Sequence, residues 1–458
     1  MAEGCTFHVP SDHLLVVGLG VSGLAIARHL KRHGIAFVMA DSREQPAGAV
    51  QFRREFGEVP LHCGDLALID MSAAREVVIS PGVNPQQAVF EDVRERLIGE
   101  LTLFKRALPH NAKVIAITGS NAKSTVTTLV GDIARCCGVD AGVGGNLGTP
   151  ALTLLEQGHD LYVLELSSFQ LEMVEQLAPE VACFLNLSED HLDRHGDMAG
   201  YQAAKQRIFE GAQCAVVNRD DSVTWPQVTL PTHTFGIGAP AADQWGIAVH
   251  NGESWLCQGD QPWLAASALR VAGIHNVANV LAALAISVAM GWPREAVLTA
   301  VQRFNGLPHR VEVMGEHAGV RYINDSKGTN VGASLAAIEG IAATLTGRII
   351  WLGGGVGKGA DFSPLAPALA AHAKAALLFG RDAALLEAAL GHAVACQRFA
   401  TMEEALARGA ELAQAGDAVL LSPACASLDQ FANYEARGDA FRAWFERQGE
   451  PSAHAVKE

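Results

Sequence analysis

The stretch from Val114 to Val130 reads VIAITGSNAKSTVTTLV, and it decides the architecture. Val114 to Ile117 is a short apolar run of the kind that forms a buried parallel strand, and Thr125 to Val130 reads as a helix. Between them, Gly119-Ser-Asn-Ala-Lys123-Ser124-Thr125 reads as a shortened Walker-type phosphate loop. Backbone N–H groups in such a turn cradle phosphates, a lysine neutralises the terminal ones, and a hydroxyl can ligate Mg²⁺. Lys123 and Ser124 occupy those two places. The spacing is shorter than that of the usual loop, so a polar helix cap that happens to contain lysine is the plain alternative.

Two further strand–glycine–helix openings flank this one. Upstream, Leu14-Leu15-Val16-Val17 runs into Gly18-Leu-Gly20-Val-Ser-Gly23 and then into an apolar helix from Leu24 to Leu30. A second strand, Ala36 to Ala40, ends at Asp41, 18 residues after Gly23. Glycines admit close backbone approach, a helix N-terminus attracts phosphate, and the acid reaches a ribose or base. This pattern predicts a phosphate-bearing ligand, with a purely structural turn as the alternative. Val77 to Gly82 reads as a later strand of the same sheet that ends on the ligand side. Downstream, Arg348 to Leu352 leads into Gly353-Gly-Gly355-Val-Gly357-Lys358-Gly-Ala-Asp361, and Ala375 to Phe379 and Ala418 to Leu421 continue the alternation.

In the central unit, Leu161 to Leu164 leads to Glu165, Val181 to Leu185 leads to Asn186 and Glu189-Asp190-His191, and Cys214 to Val217 adds a strand. Strand C-termini line the ligand crevice of a doubly wound sheet, which makes Glu165 and His191 candidate Mg²⁺ or substrate ligands. The predicted fold class is α/β with three consecutive domains and joints near Glu100 and Leu307-Pro308. These are a Rossmann-like domain over 1–100, a central P-loop domain over 101–306 and a second Rossmann-like domain over 307–458.

Composition bounds the function classes. The chain has 458 residues, 49% hydrophobic and 18% charged, enough apolar side chain for several cores and no match to a disordered, collagenous or coiled-coil protein. Lys plus Arg number 34 against 49 Asp plus Glu, a formal charge of −15 that argues against nucleic acid as a partner. The longest apolar stretch, Val280 to Trp292, is too short to span a bilayer. The opening MAEGCTFHVPSDH has neither a basic n-region nor an apolar h-region, which predicts no secretory leader. Nine cysteines without a CxxC pair or zinc spacing read as buried thiols in a reducing cytoplasm.

Seven motifs then fall in register. Thr118 to Thr125, Gly145-Asn146-Leu-Gly148, Glu165-Leu-Ser-Ser-Phe-Gln170, His275-Asn276 with Asn279, Leu307-Pro-His-Arg310, Asn324-Asp325-Ser326-Lys327 and Lys358-Gly-Ala-Asp361 together resemble the Mur ligases over essentially the whole chain. With Ser422-Pro-Ala-Cys-Ala-Ser427-Leu-Asp-Gln-Phe431, the set is most similar to the branch that adds D-glutamate. The resemblance implies a cytoplasmic step of peptidoglycan synthesis. ATP, UDP-N-acetylmuramoyl-L-alanine and D-glutamate would give the dipeptide nucleotide, ADP and phosphate. The first domain would bind the UDP moiety, the second ATP, and the third would close over both and bring the amino acid. Neither nucleic acid nor membrane insertion is expected, and the chain is expected to be a monomer.

The resemblance also implies residue roles. Gly119, Ser120, Asn121, Ala122 and Thr125 would wrap the ATP phosphates, with Lys123 at the β/γ-phosphates and Ser124 and Glu165 at one Mg²⁺. His191 and a carboxylated Lys205 would hold a second metal. Asn276, Asn279 and Arg310 would meet ATP, with Asp325 near the ribose and Lys327 at the phosphate. Val21, Ser22, Asp41, Ser42, Arg43, Gly82 and Asn146 would bind the UDP-sugar; Thr329, Lys358, Ser427, Leu428 and Tyr434 would surround D-glutamate. Taken without the family, Lys205 is a solvated helix lysine, Asn276 and Asn279 are caps or core amides, and Arg310 is a surface ion pair.

The chemistry is coherent with this inventory. A carboxylate becomes an amide only after its oxygen is made a leaving group. ATP therefore phosphorylates it and an amine attacks the acyl phosphate, so the protein's task is positioning and charge neutralisation. Two departures from the family pattern carry expectations. Most relatives have glycine where Ala122 stands, and because alanine at positive φ costs about 1 kcal/mol a negative φ is predicted there. Gly328 stands where alanine is common and predicts a looser Lys327–Thr329 loop with no loss of chemistry. An NAD-linked oxidoreductase built on Gly18 to Gly23 leaves the Lys123, Lys327 and Lys358 motifs unexplained. A nucleotide-gated binding module would hydrolyse ATP without an amino acid. Inside the family, the alternatives are ligases for L-alanine, a diamino acid or a dipeptide, or a folylpolyglutamate synthase-like enzyme.

Overall fold

Leu14–Val17 is buried at every residue and lies at the centre of a five-stranded parallel sheet in the computed structural model, which describes residues 7–271 and 273–449. The strand order is Leu61–Cys63, Phe37–Asp41, Leu14–Val17, Val77–Ile79, Leu97–Gly99. A parallel strand covered on both faces reads as an unbroken apolar run. Here Leu14, Val16 and Met39 enter one core cluster while Leu15, Val17, Val38 and Ala40 enter another. The helix that follows the glycine turn runs Val21–Arg32.

Lys113–Thr118 is an inner strand of a nine-stranded sheet, paired in parallel with Leu161–Glu165 on one side and Val181–Phe184 on the other. Its Ile115 and Ile117 face one core, and Val114 and Ala116 face the other. The helix after the phosphate loop runs Lys123–Cys136, starting two residues earlier than the apolar pattern indicates. Beyond Cys214–Asn218 the sheet continues through Thr232–Phe235 into an antiparallel set, Trp245–His250, Glu253–Gln258 and Gln261–Ala265. The first hairpin turns at Asn251-Gly252, both at positive φ, the pairing that two-residue hairpin loops favour.

The third sheet has six strands, in the order Glu312–His317, Val320–Asn324, Ala418–Leu421, Ile349–Gly354, Ala373–Phe379, Cys396–Phe399, with only Glu312–His317 antiparallel. The three-domain α/β architecture is therefore present. Between the first and second sheets, helix Glu100–Ala107 buries Leu101, Leu103 and Phe104 in a cluster that also contains residues of both sheets.

The cysteine expectation needs correcting. Among the eight described cysteines, all free, only Cys183, Cys257 and Cys425 are buried; Cys136, at the end of helix Lys123–Cys136, is exposed. Cys5 lies outside the described residues. Among the described residues no helix is long and apolar enough to cross a membrane.

Candidate active site

The phosphate loop is pinned to the end of the neighbouring strand. Ser120 N–H donates to the Asn186 carbonyl (2.9 Å), Asn121 N–H to Asn186 Oδ1 (2.8 Å), and Asn186 Nδ2 donates back to the Asn121 carbonyl (3.3 Å). The chain must then reverse so that Lys123 can fold over it, its Nζ donating to the Gly119 and Ser120 carbonyls at 2.9 Å each. Ala122 makes that reversal at φ 66°, ψ −7°, which overturns the negative φ expected of it. The tertiary hydrogen bonds on both sides of the loop outweigh the local preference of an alanine. Replacing Ala122 with glycine should remove left-handed strain worth about 0.5–1 kcal/mol and raise the Tm by about 1–3 °C. A lower Tm in thermal unfolding would show that the loop carries no such strain.

Around the loop, Lys123, Lys205, Arg310, Lys327 and Lys358 converge with Glu165, Asp190 and His191 on one cavity of about 280 Å³. Lys205 is only 1% exposed, which excludes the solvated-lysine reading. Its Nζ donates to the Gly119 carbonyl at 2.8 Å and lies 4.7 Å from the centre of the Tyr201 ring. Burial, with the Lys123 charge adding to it, pushes its pKa far below the ordinary lysine range and favours the neutral amine. Burial also lowers Lys123, and with Arg310 it brings Lys327 down to about 8. Burial lowers His191 as well, with Asp190 opposing and Lys358 adding to the effect.

Glu165 closes its strand and is buried. Burial opposes its ionisation, but Lys123, then Ser124 and Asn146, outweigh that and hold its carboxyl below the usual range. Asn146 Nδ2 donates to Oε1 at 2.7 Å, while Oε2 is buried without a hydrogen-bond partner. Ser124 Oγ accepts from Arg310 Nη2 at 2.6 Å, a contact between the second and third domains. Among the described residues no group of three His, Cys, Asp or Glu side chains converges as a ready-made metal cage. The orphaned carboxylate oxygen and the nearby Ser124 hydroxyl nonetheless fit a hard cation that takes its remaining ligands from phosphate and water.

Asn121, Ala122, Asn276, Asn279, Arg310, Asp325 and Lys327 line a neighbouring cavity of about 340 Å³ whose far wall is apolar, with Ala333, Ala336 and Ala337. Asn279 Nδ2 donates to Asn276 Oδ1 at 3.2 Å, one turn apart on helix Ile274–Ala289. Burial pushes Asp325 up to about 7; its Oδ2 accepts from Ser422 Oγ at 2.6 Å. The adjoining Gly328 does not loosen its loop. Its N–H donates to the Asp325 carbonyl and its carbonyl accepts from Ala424 N–H, each at 2.8 Å. A Cβ there would sit 2.5 Å from Asp325 Oδ2, so in this arrangement the glycine is what lets that carboxyl approach.

Val21, Ser22, Asp41, Ser42, Arg43 and Gly82 from the first domain meet Asn146 from the second around a third cavity of about 580 Å³, which gathers every residue expected at a UDP-sugar. Asp41 is nonetheless engaged by the protein. It accepts Leu19 N–H at 2.6 Å and both Arg43 Nε and Nη2, at 2.8 and 2.7 Å, so it orients Arg43 toward the cavity rim.

The residues expected around an amino acid are only partly assembled. Thr329 and Lys358 share the loop cavity, with Lys358 Nζ 2.9 Å from Asp190 Oδ1. Ser427 is buried with its carbonyl accepting Gln430 and Phe431 N–H, Leu428 is exposed, and the Tyr434 ring is covered by Lys327 Nζ at 3.9 Å. None of these three lines the cavities that contain Lys358.

Residues 12–99, 117–287 and 309–425 match, in that order, the family models for the Mur ligase MurD-like N-terminal domain, the Mur ligase middle domain and the Mur ligase glutamate ligase domain. The chain is 55% identical over 451 residues to a UDP-N-acetylmuramoylalanine–D-glutamate ligase of Chromohalobacter salexigens, covering 96% of this chain and 99% of the relative. The chain belongs to the Mur ligase family. A relative of the same name from Pseudomonas aeruginosa is 48% identical over 441 residues, 94% of this Mur ligase and 98% of the relative. Two solved structures share its fold. A pseudomurein peptide ligase type C from Methanothermus fervidus has TM-score 0.61 at 19% identity, covering 95% of this chain and 100% of its own. The UDP-N-acetylmuramate-alanine ligase MurC from Thermotoga maritima has TM-score 0.59 at 18% identity, covering 95% and 99%.

Three residues of the site in this Mur ligase escaped the sequence reading as candidates. Asp190 holds Lys358, Asn330 Nδ2 donates to Asn121 Oδ1 at 3.2 Å, and the Tyr201 hydroxyl accepts from Ser120 Oγ at 3.2 Å. Their partners lie 81 to 209 residues away in the chain, so no local pattern signals them. Only the position of Asp190 directly before His191 gave a hint.

Proposed function

We propose that this Mur ligase joins the amine of D-glutamate to the carboxylate of UDP-N-acetylmuramoyl-L-alanine, with ATP converted to ADP and phosphate, in cytoplasmic peptidoglycan precursor synthesis. The observation that carries the reading is that Asn146 lines both the UDP-sugar cavity and the phosphate-loop cavity. A nucleotide sugar anchored at Ser22 and Arg43 would thus extend its terminal carboxylate toward Lys123 and Glu165. The ATP base and ribose occupy the cavity of Asn276, Asn279 and Asp325, and the triphosphate points into the loop.

The steps follow from the placement of charge. Lys123 and Lys327 neutralise the γ-phosphoryl as it passes to the substrate carboxylate, and Arg310 draws the third domain onto the loop. ADP is the leaving group and an acyl phosphate results. The D-glutamate amine then attacks its carbonyl carbon, and the tetrahedral intermediate expels phosphate. Lys358 and Thr329 hold the amino acid, with Ser427, Leu428 and Tyr434 joining when substrate draws that segment in. Ser124 and Glu165 would hold one Mg²⁺; His191 and Lys205, carboxylated by CO₂ at its neutral amine, would hold a second. Those ions supply charge neutralisation and alignment of the phosphoryl oxygens. With domain boundaries at 100 and 306, the UDP-sugar and ATP cavities each lie at a joint between two domains, and the working unit is a monomer.

The test is phosphate release from ATP with UDP-N-acetylmuramoyl-L-alanine while the amino acid is varied among D-glutamate, L-glutamate, L-lysine and meso-diaminopimelate. Release that requires the nucleotide sugar together with D-glutamate is the expected result. Release with another amino acid would keep the ligase chemistry and overturn the third-domain assignment. Release that needs no amino acid would point to a nucleotide-gated binding module instead.

A further inference from the structure

Glu100 is a buried carboxyl that no step above uses. It opens helix Glu100–Ala107 at the joint between the first two domains and is 2% exposed. Its Oε1 accepts Leu152 N–H at 3.1 Å, and Ala151 N–H also acts on it, both from the start of helix Ala151–Gln157 in the second domain. Ser22, in the first turn of helix Val21–Arg32 in the first domain, is the side chain that opposes the effect of burial on this carboxyl. Its Oε2 is buried with no hydrogen-bond partner. Ser22 and Pro150, at the starts of those same two helices, line the UDP-sugar cavity.

Most charged side chains of the three helices are engaged elsewhere. Arg28 pairs with Glu55, Lys31 donates to the Glu55 carbonyl, Arg32 pairs with Glu156 beside His29, and Arg106 pairs with Glu76 and Glu175. Lys105 lies in the last turn of the helix that Glu100 opens. With burial dominant and only Ser22 and two backbone N–H groups opposing it, the carboxyl is pushed up to about 7.

We propose that Glu100 is a positioning residue for the UDP-substrate, setting the direction of the Ser22 hydroxyl at the seam between the two cavity walls. The inference rests on the assignment of that cavity to the UDP-substrate. A protonated Glu100 donates to Ser22 Oγ and leaves the Ser22 O–H free to donate to a diphosphate oxygen. An ionised Glu100 takes that hydrogen and turns the Ser22 lone pairs on the anion. Substrate binding therefore favours the protonated form, and above neutrality it takes up a proton from solvent.

Calorimetric titration of the full chain with UDP-N-acetylmuramoyl-L-alanine, without ATP, tests this between pH 6 and pH 8.5. The diphosphate and carboxylate of that ligand stay ionised throughout. For the wild type, affinity should fall about tenfold across the range, with proton uptake visible as buffer-dependent heat. Glu100→Gln keeps an acceptor for Leu152 and offers a permanent N–H to Ser22; it should bind as the wild type does at pH 6 and show neither dependence. Glu100→Ala should bind weakly at every pH. A pH slope unchanged in Glu100→Gln, or a flat wild type, would overturn the proposal. Ser22→Ala separates the levels: weakened binding there with an unchanged slope in Glu100→Gln confines the failure to Glu100. Wild-type binding by Ser22→Ala, or no binding by the wild type, takes down the cavity assignment and this inference with it.

Discussion

Lys123→Ala should lower turnover by at least about a thousandfold, since the ammonium is aimed at charge that moves during phosphoryl transfer. The fold should survive the change. Its ammonium donates to the Gly119 and Ser120 carbonyls, and the loop is separately held by Asn186. Burial already disfavours the charge of Lys123 in the free enzyme, so its removal relieves desolvation as well as breaking two hydrogen bonds. Initial rates beside thermal melts decide the matter: retained activity with an unchanged Tm would remove Lys123 from the chemistry. A joint loss of activity and Tm would make it a structural residue.

Lys205→Ala should reduce turnover by a factor on the order of 100 or more and should recover in part when acetate or formate is added. The physical case begins with a lysine that is 1% exposed and faces the Gly119 carbonyl, with its pKa pushed far down. A neutral buried amine is nucleophilic toward CO₂, whereas a protonated one is not. A carbamate formed there would supply the oxygen ligand that lysine lacks, and a small carboxylate would fit the space left by the missing side chain. Labelled bicarbonate gives an independent readout, a carbamate carbon signal in the wild type that is absent from the variant. An enzyme fully active without that signal would refute the modification.

Some of this protein was readable in one dimension. Three apolar strands that run into glycine-rich turns mark the three large sheets, because a parallel strand buried on both faces reads as an unbroken apolar run. The loop lysine and Glu165 at its strand end were legible from spacing, since both lie on strand–turn–helix units of one sheet, whereas the residues that line the cavity between the first two domains came from the family resemblance. The antiparallel extension from Trp245 to Ala265 was missed. Its strands alternate only weakly, with the pattern BBiiei in Trp245–His250, and the Asn251-Gly252 turn was the signal that could have revealed it.

Sequence by itself determined the fold class, the order of domains and the strand–turn–helix that carries Lys123, all of which depend on contacts between near neighbours in the chain. Tertiary structure alone decided that Ala122 adopts a positive φ, that Gly328 is held tightly, and that Lys205 is buried with its pKa driven down. It also decided the pairing of Asp190 with Lys358 and the place of Glu100 between two helix starts. The reason is common to all five. Each is set by desolvation or by a hydrogen bond to a group tens to hundreds of residues away, and a backbone preference worth about 1 kcal/mol yields when several such bonds oppose it.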